Sequence, residues 1–180
     1  LKCIQEKTDL DNQAEIEQLL NQTNFTFDGE DGLVLFMDGE DISSHIITAA
    51  ITESVSSVSA IPKVREKLVS CQRKMAKGLD VILEGRDIGT VVFPNADHKF
   101  FLIADIRERA KRRMQEMEAK GEIVSLSALT AELEERDRID STREHSPLKK
   151  AEDSVEIDTT SLSIEQQVNR IVEIVTKSIK

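Results

Sequence analysis

Val81-Ile82-Leu83-Glu84-Gly85-Arg86-Asp87-Ile88-Gly89-Thr90-Val91-Val92-Phe93-Pro94 is the stretch on which the fold turns. Val81–Leu83 has the length and composition of a buried parallel strand. Behind it come a cation, an anion and two glycines. Open α/β sheets hold their ligands at this position, beyond the carboxyl ends of the strands.

Outward from this stretch, strand and helix patterns alternate. Past a Pro94-Asn95 turn, Phe100–Ile103 reads as a second strand. A long charged helix covers 107–120, with Ala110, Met114 and Met117 as a thin apolar stripe and Gly121 as its stop. Leu126, Leu129 and Leu133 begin another helix, capped by Ser125 or Ser127 and running toward Asp140. Residues 141–153 are polar and read as loop; Val155–Ile157 is a short strand. Ser163-Ile164-Glu165-Gln166 is a capping box. It opens a last helix whose stripe of Val168, Ile171, Val172, Val175 and Ile179 is expected to be buried.

Toward the N-terminus, Pro62 suits the first turn of a helix through Val64, Leu68, Cys71 and Met75, because its missing N–H is orphaned there in any case. A preceding helix carries Ile51, Val55 and Val58 behind a Thr48 cap. Residues 24–28 and 33–37 are β-prone around a Gly29-Glu30-Asp31-Gly32 hairpin loop, and Asp38-Gly39 makes a second turn. Ile16, Leu19 and Leu20 mark a helix behind Asp11 or Asn12. Leu1–Ile4 reads as the tail of a helix begun upstream. Strands alternating with helices predict an α/β class with a parallel sheet, and residues 23–42 an antiparallel insertion.

Composition narrows the function. The net charge is −10, with six Phe and neither Trp nor Tyr. An acidic chain poor in aromatics suits neither phosphate-backbone neutralisation nor base-stacking on a single strand, so no nucleic-acid polymer is expected as partner. No apolar run approaches the ~18 residues of a membrane span. Cys3 and Cys71 form no C-x-x-C pair, and His45, His98 and His145 are scattered, so neither disulfide framework nor metal centre is indicated. A reducing, cytoplasmic setting is expected.

Arginines nevertheless bunch at Arg107, Arg109, Arg112 and Arg113, and again at Arg136, Arg138 and Arg143. Guanidinium is permanently charged, planar and bidentate toward phosphate, so bunched arginines on an acidic chain point to a small anionic ligand. The competing reading is a solvated helix face, with Glu132–Arg136 and Glu134–Arg138 as i,i+4 pairs and Glu108, Glu116 and Glu118 as partners for the first group. A nucleotide-phosphate site would also call for G-x-x-x-x-G-K-[ST]. That motif occurs nowhere in the 180 residues.

Five ordered segments carry a resemblance. They are Ser56–Arg65, Glu84–Pro94, Arg109–Met114, Glu135–Arg143, and Ile157–Gln166. Together they resemble the bacterial cytidylate kinases over nearly the whole chain. The resemblance implies a P-loop nucleoside-monophosphate-kinase-like parallel sheet flanked by helices, with a small antiparallel β insertion. It implies one kinase domain over 1–180, a monophosphate-binding insertion at 18–60 and a lid at 107–125. It further implies that the strand bearing the phosphate loop, and one more strand, lie outside this sequence, so that the chain alone is expected to be inactive.

The implied reaction is phosphoryl transfer from ATP to CMP or dCMP, with Mg²⁺ accompanying ATP and a monomeric full-length enzyme. By the same resemblance Ser56, Arg65 and Asp87 read the cytosine. Arg86, Arg136 and Arg143 hold the monophosphate, and Asp140 takes the ribose hydroxyls or a neighbouring arginine. Arg109, Arg112 and Arg113 act on the ATP phosphates. Glu84 organises Mg²⁺ through water or pairs with Arg86. A non-catalytic CMP-binding remnant of a kinase is the alternative.

Overall fold

Asp38 and Gly39 both adopt positive φ, 55° and 89°. This is the two-residue turn whose twist matches a hairpin, and Asp-Gly is its preferred sequence. It joins β2 (Val34–Met37) to β3 (Glu40–Asp41), pairing Met37 with Glu40. On the other side β2 pairs antiparallel with β1 (Phe25–Asp28), Phe25 opposite Met37 and Asp28 opposite Val34. The computed structural model describes residues 1–28 and 34–178. The expected loop at Gly29–Gly32, Leu33 and the final residue of the apolar stripe, Ile179, lie outside them.

The chain divides into two compact units, Leu1–Glu84 and Gly85–Lys180. The first holds α1 (Lys2–Gln5), α2 (Gln13–Gln22), the three-stranded sheet, a 3₁₀ turn at His45–Ile47, α3 (Ala49–Ala60) and α4 (Pro62–Met75). Its helix starts obey local chemistry. The Asn12 side chain accepts from the N–H groups of Ala14 and Glu15, Thr48 Oγ1 accepts from Ile51, and Pro62 occupies the first turn of α4. Its core is Ile16, Leu19, Met37, Ile42, Val64 and Val69. Asp38 ties the turn back: it pairs with Lys2 and accepts the Asn24 N–H. Lys2, then Asn24, holds the Asp38 carboxyl below the usual carboxylate range.

The second unit is a parallel β–α–α–β crossover. β4 (Phe100–Ile103) and β5 (Val155–Asp158) pair in register from Phe100–Val155 to Ile103–Asp158. Between them run α5 (Ile106–Glu118) and α6 (Leu126–Thr142), which pack closely on one another around Ala110 and Leu129. Asp105 caps α5 and Ser125 caps α6. α7 (Ile164–Ser178) starts on the expected reciprocal box: Gln166 N–H to Ser163 Oγ at 3.2 Å and Ser163 N–H to Gln166 Oε1 at 2.9 Å. A parallel pair flanked by helices, with an antiparallel insertion, is the expected α/β architecture.

Two expectations are corrected. Val81–Leu83 is not a buried strand: no described strand hydrogen-bonds to it, and Ile82 is fully exposed. Apolar composition supplies a strand's side chains but not its ladder partner. The α7 stripe is likewise only partly covered, with Val168 and Val172 about half exposed. Amphipathicity marks a face that can be buried, and the described elements bury only part of it. No helix among the described residues is long and apolar enough to cross a membrane.

Candidate functional site

One helix, α6, organises the second unit. Helical spacing sets Arg136 and Asp140 on one face, a turn apart, and Arg143 is its C-cap. Asp140 is only 4% exposed. Its Oδ2 accepts from Arg86 Nε at 2.8 Å, and Arg143 Nη1 lies 3.8 Å from Oδ1. The Asp140 carbonyl accepts from Leu148 N–H, and Arg143 Nε donates to the Ser146 carbonyl, so the loop after α6 folds back on the end of that helix. A neighbouring arginine, one of the two partners anticipated for Asp140, is in contact with it. Arg86 stays partly exposed, and its two terminal nitrogens make no hydrogen bond among the described residues. Arg136 is half-buried and, among the described residues, has no ion-pair partner.

Gly85–Val92 presents Arg86 and Asp87. The segment ends in a five-residue π turn, Ile88–Val92. The Asp87 carbonyl collects the N–H groups of Thr90, Val91 and Val92, and Ile88 O accepts from Phe93 N–H at 2.7 Å. Asp87 is 3% exposed and Val92 1%. A Cβ on Gly85 would sit 3.0 Å from Ile88 Cγ1, and one on Gly89 3.3 Å from Lys99 Cδ. At both glycines the chain runs in close approach to a neighbouring side chain, and a Cβ would press on it.

The α5 arginines already have partners. Arg109 makes a two-point ion pair with Asp137 of α6, at 3.2 and 2.5 Å. Arg112 donates to the Thr159 and Thr160 carbonyls and lies 3.6 Å from Glu108; Arg113 pairs with Glu116. Glu108 and Glu116, two of the partners that the solvated-face reading expects, are met by Arg112 and Arg113, and Asp137 adds a partner for Arg109. Asp137→Asn should cost about 1 kcal/mol of stability, because the fork–carboxylate pair is two-thirds buried but not dry. Urea unfolding reads this; an unchanged midpoint would mean that the pair contributes nothing.

In the first unit, Arg65 is half-buried on α4, and Glu84 is exposed. Ser56 lies on α3, and its side chain falls outside the described part of the structure.

Comparison with known proteins decides the family. The family model described as cytidylate kinase matches residues 1–177. The chain belongs to the cytidylate kinase family. It is 46% identical to the cytidylate kinase of Pediococcus pentosaceus over 100% of this chain and 80% of that protein. It is 48% identical to that of a Geobacillus species over 98% of the chain and 80% of the relative. With that of Caldanaerobacter subterraneus subsp. tengcongensis the figures are 43%, 100% and 79%.

For this cytidylate kinase family chain, sequence reading named Arg109 but missed its partner. Asp137 stands inside the quoted Glu135-Arg136-Asp137 segment, yet a contact between two helices 28 residues apart leaves no periodic signal. Arg138 takes Glu135 at i,i−3, in place of the anticipated Glu134 at i,i−4. The Arg138 guanidinium holds the Glu135 carboxyl below its ordinary range, and Arg138 itself is raised by the same pair. This pair is exposed, while Arg136, on the same helix, has no ion-pair partner among the described residues.

Proposed function

We propose that this chain binds CMP or dCMP and serves the family's reaction, ATP-dependent phosphoryl transfer to that monophosphate. One observation carries the reading: a buried carboxylate, Asp140, holds Arg86 and Arg143 beside an unpaired Arg136. Two guanidinium groups on one carboxylate, with a third a helical turn away along α6, leave net positive charge, which suits a phosphate dianion.

The residue roles follow from that charge. Arg86, Arg136 and Arg143 hold the monophosphate, and Asp140 orients two of them. Asp87, with Ser56 and Arg65, reads the cytosine. Residues 18–60 form the monophosphate-binding insertion and 107–125 the lid. A phosphate oxygen of CMP attacks the γ-phosphorus of ATP; the bond from that phosphorus to the β,γ-bridging oxygen breaks, and ADP leaves with the charge. The acceptor needs no base, so the protein's part is alignment and charge stabilisation. Arg109, Arg112 and Arg113 supply the latter by exchanging their present acceptors for ATP oxygens.

No cluster of three His, Cys, Asp or Glu able to cage a metal occurs among the described residues. A lone exposed carboxylate, Glu84, fits Mg²⁺ that keeps most of its waters and phosphate ligands. Mg²⁺ bound with ATP would neutralise phosphate charge, and Glu84 would hold it through water.

A second reading, a non-catalytic CMP-binding remnant, is favoured by the engaged lid arginines. Calorimetric CMP titration and coupled ADP production, with this chain beside one bearing an added N-terminal phosphate loop, separate the readings. CMP binding by both, with turnover by the extended protein alone, supports the kinase reading. Binding without turnover by either supports the remnant. No CMP binding by either overturns the proposal.

A further inference from the structure

Lys99, which no motif singles out, is built into the back of the segment that presents Arg86 and Asp87. Its side chain is 7% exposed. A buried ammonium is tolerated only when its donors are used. Here Nζ donates to both carboxylate oxygens of Asp153, at 2.8 and 2.6 Å, and to the Pro94 carbonyl at 2.5 Å. Three protons meet three acceptors. The backbone is fixed too: the Lys99 carbonyl accepts from Val155 N–H at 2.9 Å, at the entry to the β4–β5 ladder.

The stem of this side chain lies flat against Gly89. An added Cβ there would meet Lys99 Cδ, Cγ and Cβ at 3.3, 3.5 and 3.7 Å. Gly89 is inside the π turn whose N–H groups converge on the Asp87 carbonyl. Pro94, which takes the third proton, follows the same turn. Lys99 thus joins three things: the rigid parallel strand pair, the loop before β5, and both the middle and the end of the turn behind Asp87. The ammonium holds the Asp153 carboxyl below its ordinary range, as expected of a formed ion pair.

We infer that Lys99 is a positioning residue for cytosine recognition: its Asp153- and Pro94-anchored side chain backs the π turn at Gly89 and so fixes where Asp87 stands. The inference rests on the assignment of Asp87 to the base. It adds that selectivity depends on a buried lysine that touches no ligand.

The test is calorimetric titration of the 180-residue chain, as wild type, Lys99→Met and Gly89→Ala, with CMP and with UMP. Lys99→Met keeps the stem length and removes the three hydrogen bonds. Gly89→Ala keeps the charge and presses the turn off the stem. Small displacements of a positioning element cost on the order of tenfold or more. Both variants should therefore lose about tenfold in CMP affinity and, more tellingly, lose preference for CMP over UMP. Lys150→Met, which removes an exposed pair with Glu156, should leave both unchanged. A purely structural lysine would lower the melting temperature without altering the CMP-to-UMP ratio, and that result overturns the inference. So does an unchanged ratio in Gly89→Ala, should Lys99→Met fail to fold. Failure of wild type to bind CMP would overturn the underlying assignment as well, whereas tight wild-type binding with unaltered variants overturns the role of Lys99 alone.

Discussion

Asp140→Ala is expected to abolish measurable CMP binding and to lower stability by about 3 kcal/mol, the cost of breaking a buried ion pair from one side. Asp140 is almost wholly buried, and Arg143, at 9% side-chain exposure, cannot turn to water for compensation. Removing the carboxylate leaves two guanidinium groups without the counter-charge they share. Arg86, partly exposed, can swing outward; Arg143 has only the Ser146 carbonyl left. The loop at 143–148 loses its electrostatic anchor as well. Asp140→Asn is the instructive companion. It keeps the volume and one acceptor for Arg86 but removes the charge, so stability should recover in part while phosphate affinity stays low, the arginines being no longer aligned. Equilibrium unfolding in urea and CMP titration measure the two effects separately. An Asp140→Ala protein that binds CMP like wild type would show that the cluster is structural and that the phosphate is held elsewhere.

That cluster also shows where sequence reading succeeds and stops. Caps and turns were legible because their chemistry is local: Asn12, Thr48, Ser125 and Ser163 each satisfy N–H groups two or three residues away. Asp38-Gly39 demanded its positive φ values from composition alone. β4 and β5 were legible as apolar runs between breakers. Arg86, Asp140 and Arg143 were nameable through resemblance. That Asp140 grips Arg86 across 54 residues was anticipated only as one of two possibilities. Lys99–Asp153 spans 54 residues too, and an isolated lysine in a charged chain carries no mark of burial. The π turn was invisible because its i→i+5 bonding has no sequence period of its own. Val81–Leu83 and the α7 stripe failed for a complementary reason. Hydrophobicity states what a segment could bury, while the covering partner is a property of the assembled fold.

Asp87→Asn should erase most of the base preference. A buried carboxylate offers acceptors only, so it accepts from the exocyclic amine of cytosine and opposes the carbonyl that uracil presents there. Asparagine adds an N–H₂ donor that meets uracil's carbonyl, and amide rotation lets its oxygen still meet cytosine's amine. A mismatched buried polar pair costs about 2 kcal/mol, or roughly thirtyfold in affinity. CMP affinity should therefore fall modestly while UMP affinity rises, moving the CMP-to-UMP ratio by that order. Asp87 is 3% exposed, so water cannot screen the mismatch in the wild type. The turn at 88–92 should hold, because asparagine keeps the shape of aspartate and the Asp87 carbonyl keeps the N–H groups of Thr90, Val91 and Val92. Parallel titrations with CMP and UMP decide the matter. A ratio that stays fixed while both affinities drop would make Asp87 a support of the loop and move base recognition to other residues.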